Sequence, residues 1–368
     1  MTNVDHPLIP VAQPLIGAAE RAAVDRVLCS GMLAQGPEVA AFEREFSDHF
    51  GLARTCVAVN SGTSGLHLGL LASGVGPGDE VIVPSFTFAG TANAVALTGA
   101  KPVFADIDPV TFCLDPQSVQ ERVTPRTAGV MPVHLYGHPA DMPGLQAVAE
   151  QHGLQVFEDA AQAHGASLGG VPVGAFGSFA MFSLYPTKNM TAGEGGMVSV
   201  ASPVVERLLR LYRNQGMARP YENELVGFNA RMSDIHAAIG RVQLGRVGGW
   251  TLQRQQNADF LNAHLEGVVT PTTAAGAVHV FHQYTVRVPE DRDGVARALR
   301  EEHGIGTGLF YPIPSHRLPS FQADADLPET ELAARECLSL PVHPSVSRMD
   351  LERIVTAVNA VARAGADR

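Results

Sequence analysis

Seven short β-rich runs, most of them separated by helical stretches, limit what this 368-residue chain can fold into. The runs are Thr55–Val59, Glu80–Val83, Pro102–Ile107, Gly129–Val133, Leu154–Phe157, Ser178–Phe182 and Met197–Val200. Between the earlier ones lie helix-patterned segments at 66–72, 89–97 and 144–152. Strands that are apolar on both faces and alternate with helices predict a mainly parallel sheet covered on both sides. In such sheets ligands sit in the crevice beyond the carboxyl ends of the strands. Before this region, prolines at 7, 10 and 14 predict an extended start, and helices are expected from Gly17 to Gly31 and from Pro37 to Gly51. After Ser202 the pattern is helical, with a long helix expected from Ser233 to about Leu265. The domain boundary is placed within it, giving a large domain 1–250 and a smaller C-terminal α/β domain 251–368. In the smaller domain the pattern gives a β-run at Val278–Val288, a helix near Val295–His303, a proline-rich turn at Tyr311–Pro319 and a final helix capped by Ser347.

Three of the strand ends carry loops with chemistry. The first, Asn60–Gly65, opens a helix, and its free N–H groups suit a phosphate as well as an ordinary Ser/Thr cap. The second, Glu158–Gly165, puts carboxylates at a buried strand end, where a cationic partner is needed unless the group merely caps a helix. In the third, a hydroxyl (Ser183), a proline-stiffened turn, Lys188 and a glycine cluster follow one another. Of 26 basic residues only Lys101 and Lys188 are lysine. An arginine cannot lose its proton and act as an amine nucleophile, so Lys188 is a candidate catalytic amine. Pro84–Phe88 offers an aromatic from another strand end. Together the loops supply an anion cradle, a carboxylate, a hydroxyl and an amine, which is the set that pyridoxal phosphate requires.

The formal net charge of −11 argues against broad binding to nucleic acid or an acidic membrane. The four scattered cysteines suggest reduced thiols with neither a disulfide frame nor a metal site, and His134 and His138 read as loop residues rather than metal ligands. With no apolar run of about 18 residues and no charged-then-apolar leader, a soluble cytoplasmic protein is expected.

The chain resembles the DegT/DnrJ/EryC1/StrS family of pyridoxal-phosphate-dependent aminotransferases acting mainly on nucleotide-linked keto-sugars. Residues 60–66, 158–165 and 188–196 carry the resemblance, which runs from Ile9–Pro14 to Leu338–Pro344. It implies the fold-type-I, aspartate aminotransferase-like architecture and a homodimer with shared active sites. It also implies that Lys188 forms the Schiff base, Asp159 pairs with the ring nitrogen, and Gln162 lies on the ring-hydroxyl side. Phe88 and Ala161 would cover the two ring faces, with Gly62, Thr63 and Ser183 holding the phosphate. Asn229 would reach the phosphate in the neighbouring subunit. His316, Arg219 and Arg231 are candidates for the substrate side. The reaction implied takes an amino group from an amino acid, L-glutamate being expected, through pyridoxamine phosphate to the keto-sugar. Ala230 and Gln215 depart from the family pattern near where the sugar nucleotide would lie. Two alternatives on the same scaffold are a sugar dehydratase, which would replace the lysine, and a keto-inositol aminotransferase. Outside that chemistry stand a non-catalytic ligand-binding regulator and a nicotinamide-dependent reductase, whose Gly-x-Gly-x-x-Gly turn does not fit Asn60–Gly65.

Overall fold

The computed structural model describes residues 7–366. Two helices, α1 (Ala18–Ser30) and α2 (Pro37–Phe50), come first, and both stop at a left-handed glycine, Gly31 and Gly51. The chain then runs β1 (Thr55–Val59), α3 (Gly62–Ala72), β2 (Glu80–Pro84), α4 (Gly90–Leu97), β3 (Lys101–Ala105), α5 (Pro116–Arg122), β4 (Thr127–Val130), α6 (Met142–His152) and β5 (Gln155–Asp159). Next come β6 (Phe179–Ser183), β7 (Gly196–Val200), α7 (Pro203–Arg213) and α8 (Asp234–His264). All seven expected strands join one sheet, in the order β1-β7-β6-β5-β4-β2-β3. Only β7 runs against its neighbours. The carboxyl ends of β1, β2, β5 and β6 therefore share one rim.

Alternate residues of each strand enter opposite faces of the sheet. Val57, Val59, Phe157, Phe179 and Met181 pack with α3 on one side. Cys56, Ala58, Ala180 and Phe182 pack with α2 and α8 on the other. Each buried Val, Phe or Met side chain among them contributes about 1.5–3 kcal/mol, so both faces hold the rim in place.

The Ser233 hydroxyl accepts from the His236 N–H and caps α8 at the residue where the sequence placed the start of the long helix. This helix spans the boundary placed at residue 250: Ala237 and Leu244 pack under the large sheet, whereas Ala258 and Leu261 belong to a separate C-terminal core. That core also holds Ile9 and the pair β8 (Tyr284–Arg287) and, after α9 (Arg292–Glu301) and α10 (Pro328–Glu336), β9 (Cys337–Leu340). Helix α11 (Arg348–Ala366) closes the chain, with Ser347 capping it through Asp350. The β-run expected at Val278–Val288 is a correction: Ala277–Val278 pairs elsewhere, residues 279–283 turn, and only β8 is a strand of the core pair. No helix among the described residues is long and apolar enough to cross a membrane.

Candidate active site

A cavity of about 500 Å3 opens at the shared rim, lined by residues from every loop singled out in the sequence. Gly62 and Thr63 enter from the start of α3. Its cap Ser61 accepts from the Ser64 N–H, and the Gly65 N–H bonds to the Ser61 carbonyl. The two N–H groups ahead of these are left for an anion. A Cβ at Gly62 would come within 3.1 Å of Met181 and 3.2 Å of Ser183, so the glycine allows the backbone to lie close to the floor. Ser183 itself ends β6 and lines the cavity.

Lys188 sits in the loop between β6 and β7. The loop is tied by Leu184 N–H to Gly195 C=O (3.0 Å), Ala192 N–H to Leu184 C=O (3.0 Å) and Lys188 N–H to Tyr185 C=O (3.0 Å). Gly195 has φ +145° and a Cβ there would strike Met232 at 2.6 Å, so the return leg requires glycine. Burial lowers the Lys188 amine to about 8, while the charge of Asp159 works in the opposite direction. The amine is thus close to the pKa a general base at neutral pH needs.

Asp159 ends β5, beside β6 in parallel register. Its carboxylate is buried and accepts from the Thr91 hydroxyl (2.8 Å) and the Ala161 N–H (3.1 Å). Burial raises its pKa, against the pull of Thr91, Ala161 and Lys188. Among the described residues no arginine or histidine side chain bonds to it, so a ligand N–H⁺ in the cavity would complete its pairing.

The remaining assignments divide. Phe88 lies on the cavity and is 65% exposed, which excludes core packing. Ala161 and Gln162 also line the cavity. The Gln162 amide is held at both ends, Oε1 accepting from Tyr136 N–H (2.8 Å) and Nε2 donating to the Tyr311 hydroxyl (2.8 Å). Asn229, Arg219 and Arg231 do not line it. Asn229 is exposed, Arg219 projects on a hairpin near Glu222, and Arg231 donates to Asn214 (2.8 Å). His316 also lies outside the lining, fully buried, with Nδ1 on Ser85 Oγ (2.7 Å) and Nε2 on Glu331 (3.1 Å). It anchors the wall rather than facing the cavity.

Sequence reasoning missed Thr91, Tyr311, His282 and Gln283. Thr91 was findable, lying just past the aromatic strand end. Among the described residues no group of three or more histidine, cysteine, aspartate or glutamate side chains could hold a metal.

The cradle, the cavity-facing carboxylate and the amine fit pyridoxal phosphate: Gly62, Thr63 and Ser183 for its phosphate, Asp159 for its ring nitrogen and Lys188 for its aldehyde. Sequence comparison agrees, since the pattern of the DegT/DnrJ/EryC1/StrS aminotransferase family matches residues 14–359. The chain belongs to that family.

Three DegT/DnrJ/EryC1/StrS relatives show its range. A "pleiotropic regulatory protein" of Geobacillus stearothermophilus is 41% identical over 91% of this chain and 92% of its own. A UDP-N-acetyl-3-dehydro-α-D-glucosamine 3-aminotransferase of Acidithiobacillus ferrooxidans is 41% identical over 91% of both. A dTDP-3-amino-3,4,6-trideoxy-α-D-glucose transaminase of Streptomyces venezuelae is 42% identical over 92% of this chain and 90% of its own. Among solved structures, S. venezuelae DesV with a ketimine intermediate superposes with a TM-score of 0.91, 40% identity and coverage of 96% and 99%. Bacillus subtilis NtdA, with bound cofactor PMP, does so at 0.91, 30% identity and coverage of 99% and 87%. This chain therefore has the fold of the pyridoxal-phosphate-dependent aminotransferases.

Proposed function

We propose that this aminotransferase uses pyridoxal phosphate to move an amino group from an amino acid, with L-glutamate the expected donor, to a nucleotide-linked keto-sugar. The observation that carries the reading is the meeting of Lys188, Asp159 and the α3 cradle in one cavity. When bound, the cofactor supplies a carbonyl to store the amino group and a ring that withdraws electrons from the reacting carbon. The chain does the rest. The N–H groups at 62 and 63 hold the phosphate, and Asp159 keeps the ring nitrogen protonated, itself fixed by Thr91 and Ala161. Lys188 Nζ takes a proton from the donor's α-carbon in the first half-reaction and delivers one to the former carbonyl carbon of the sugar in the second.

The sugar assignment is supported by relatives that carry dTDP- and UDP-sugar names. Among the described residues Lys188 is the only cationic side chain on the cavity lining. A nucleotide diphosphate and donor carboxylates need more positive charge than that. In our reading a second copy of the chain supplies it, with exposed Arg219 as the cation and exposed Asn229 as a hydrogen-bond donor to the phosphate. Four unpaired cysteines suit a reducing cytoplasm. The regulatory name of one relative raises a non-catalytic reading. A sensor has no need of a depressed lysine amine facing a buried carboxylate, and a dehydratase of this scaffold would lack the lysine. The test is to supply pyridoxal phosphate, glutamate and a panel of keto-sugar nucleotides. Formation of 2-oxoglutarate that depends on one of the sugars is expected; its absence across dTDP-, UDP- and GDP-linked ketones would remove the proposal.

A further inference from the structure

The turn at residues 279–283, which interrupts the expected strand, is held by bonds on every side. Val280 N–H donates to Gly137 C=O (3.0 Å) and Gln283 N–H to Tyr136 C=O (3.2 Å). The buried Arg254 guanidinium donates to the carbonyls of Phe281 (3.1 Å) and His282 (3.4 Å). Phe281 sits at φ +42°, a strained conformation for an aromatic residue that persists only when its surroundings enforce it. The result is that His282 and Gln283 enter the wall of the Lys188 cavity.

His282 is oriented by the residue directly after Lys188. Asn189 Nδ2 donates to Val280 C=O (3.0 Å), which turns its Oδ1 toward His282 Nδ1 at 3.2 Å. An amide oxygen only accepts, so Nδ1 carries the proton and Nε2 presents a lone pair. Among the described residues no protein group bonds to Nε2. Burial and the nearby Lys188, Arg254, His164 and His279 hold the ring's pKa well below that of an ordinary histidine. The ring is therefore neutral, and its open nitrogen accepts only.

We propose that His282 is a specificity-determining residue whose Nε2 accepts a hydrogen bond from a hydroxyl of the acceptor sugar next to the carbon that gains nitrogen. This rests on the sugar-aminotransferase reading above. The other ligands do not match a bare lone pair. The cofactor's phosphate needs donors, its ring nitrogen and aldehyde already have Asp159 and Lys188, its ring hydroxyl is assigned to the Gln162 side, and the donor's amino group is committed to the aldehyde. The donor's carboxylates bring lone pairs of their own. A sugar hydroxyl supplies the missing O–H, and the link through Asn189 places His282 beside the amine that serves the reacting carbon.

The test uses the pyridoxamine-phosphate form of the full-length enzyme and two amino-sugar nucleotides, identical except that one lacks the hydroxyl beside the amine. Binding is measured by calorimetry for wild type, His282→Phe and His282→Gln, with retention of the cofactor's absorbance as the folding control. The wild type is expected to prefer the hydroxylated ligand at least about tenfold. His282→Phe should bind both equally, with the loss confined to the hydroxylated ligand, and His282→Gln, which keeps an acceptor, should recover part of the preference. Independently, ¹⁵N-histidine NMR should assign to His282 a neutral ring protonated at Nδ1 from pH 5.5 to 8.5, by the signal lost in His282→Gln. A preference unchanged in His282→Phe, an equal weakening of both ligands, or a proton on Nε2 would overturn the role of His282 alone. Failure of the wild type to bind either ligand would instead overturn the sugar reading, and this proposal with it.

Discussion

Glu158 and Asp159 are neighbours in sequence, yet they occupy opposite sides of β5 in two different kinds of site. Glu158 points beneath the sheet and accepts from the N–H groups of Gly174 (2.8 Å), Phe176 (2.9 Å) and Gly177 (2.8 Å), with His134 Nε2 at 3.2 Å. The Ala140 N–H donates to His134 Nδ1, which leaves Nε2 as the nitrogen that donates to Glu158. Burial alone would raise the Glu158 pKa, but His134 and the backbone donors outweigh it and the net shift is downward. Among the described residues Asp159 has two neutral donors only; it faces the cavity and is shifted upward. Both carboxylates are buried. What separates the structural one from the functional one is whether the protein itself completes its hydrogen bonding.

The largest effect expected is on the cavity side. Lys188→Ala should lower turnover by about 10⁴ or more, and Asp159→Asn by about 10²–10³, measured as kcat with saturating pyridoxal phosphate. Neither should lower the denaturation midpoint, because Asp159→Asn removes a buried charge that the chain leaves incompletely paired. The reverse holds beneath the sheet. Glu158→Ala strands three N–H groups and should cost about 3 kcal/mol or more of folding stability by denaturant titration, with activity per folded molecule largely kept. If Glu158→Ala instead abolished catalysis without destabilising the protein, the comparison would be inverted.

Acid sharpens the contrast between buried and cavity-facing groups. Burial lowers His164 and His279 to about 3, so below about pH 6.5 the unfolded chain takes up protons that the folded one refuses. Stability is full above that pH and should fall by about 1.4 kcal/mol per pH unit per histidine as pH drops from about 6.5 toward 3. Melting temperatures across pH 4–8 check the slope. The smallest effect is expected from Thr91→Val, which removes one of the two donors of Asp159. Its kcat/KM should fall by about tenfold, with the acid limb of the pH profile moved upward.

The sequence made much of this legible where local chemistry decides. Gly31, Gly51 and Ser233 mark helix ends because their left-handed or capping geometry is specified by the residue itself. The seven strands were readable because they are apolar on both faces. The turn at 279–283 was not, since its hydrophobic residues look like strand and its cause is the distant Arg254, Gly137 and Asn189. Helix α10 and strand β9 were missed for a related reason: packing against residues distant in sequence, not a period, defines them. Residue type alone likewise could not say which way His316 faces. The structure turns it into the wall, onto Ser85 and Glu331, while His282, which no motif flagged, lines the cavity.

The most direct measurement follows from the chain having two lysines, Lys101 and Lys188. Purified protein is mixed with pyridoxal phosphate, reduced with borohydride, digested and mapped by mass spectrometry. A single reduced pyridoxyl adduct on Lys188, formed slowly or not at all in Asp159→Ala, is the predicted result. An unmodified Lys188, or label on Lys101 in its place, would contradict it.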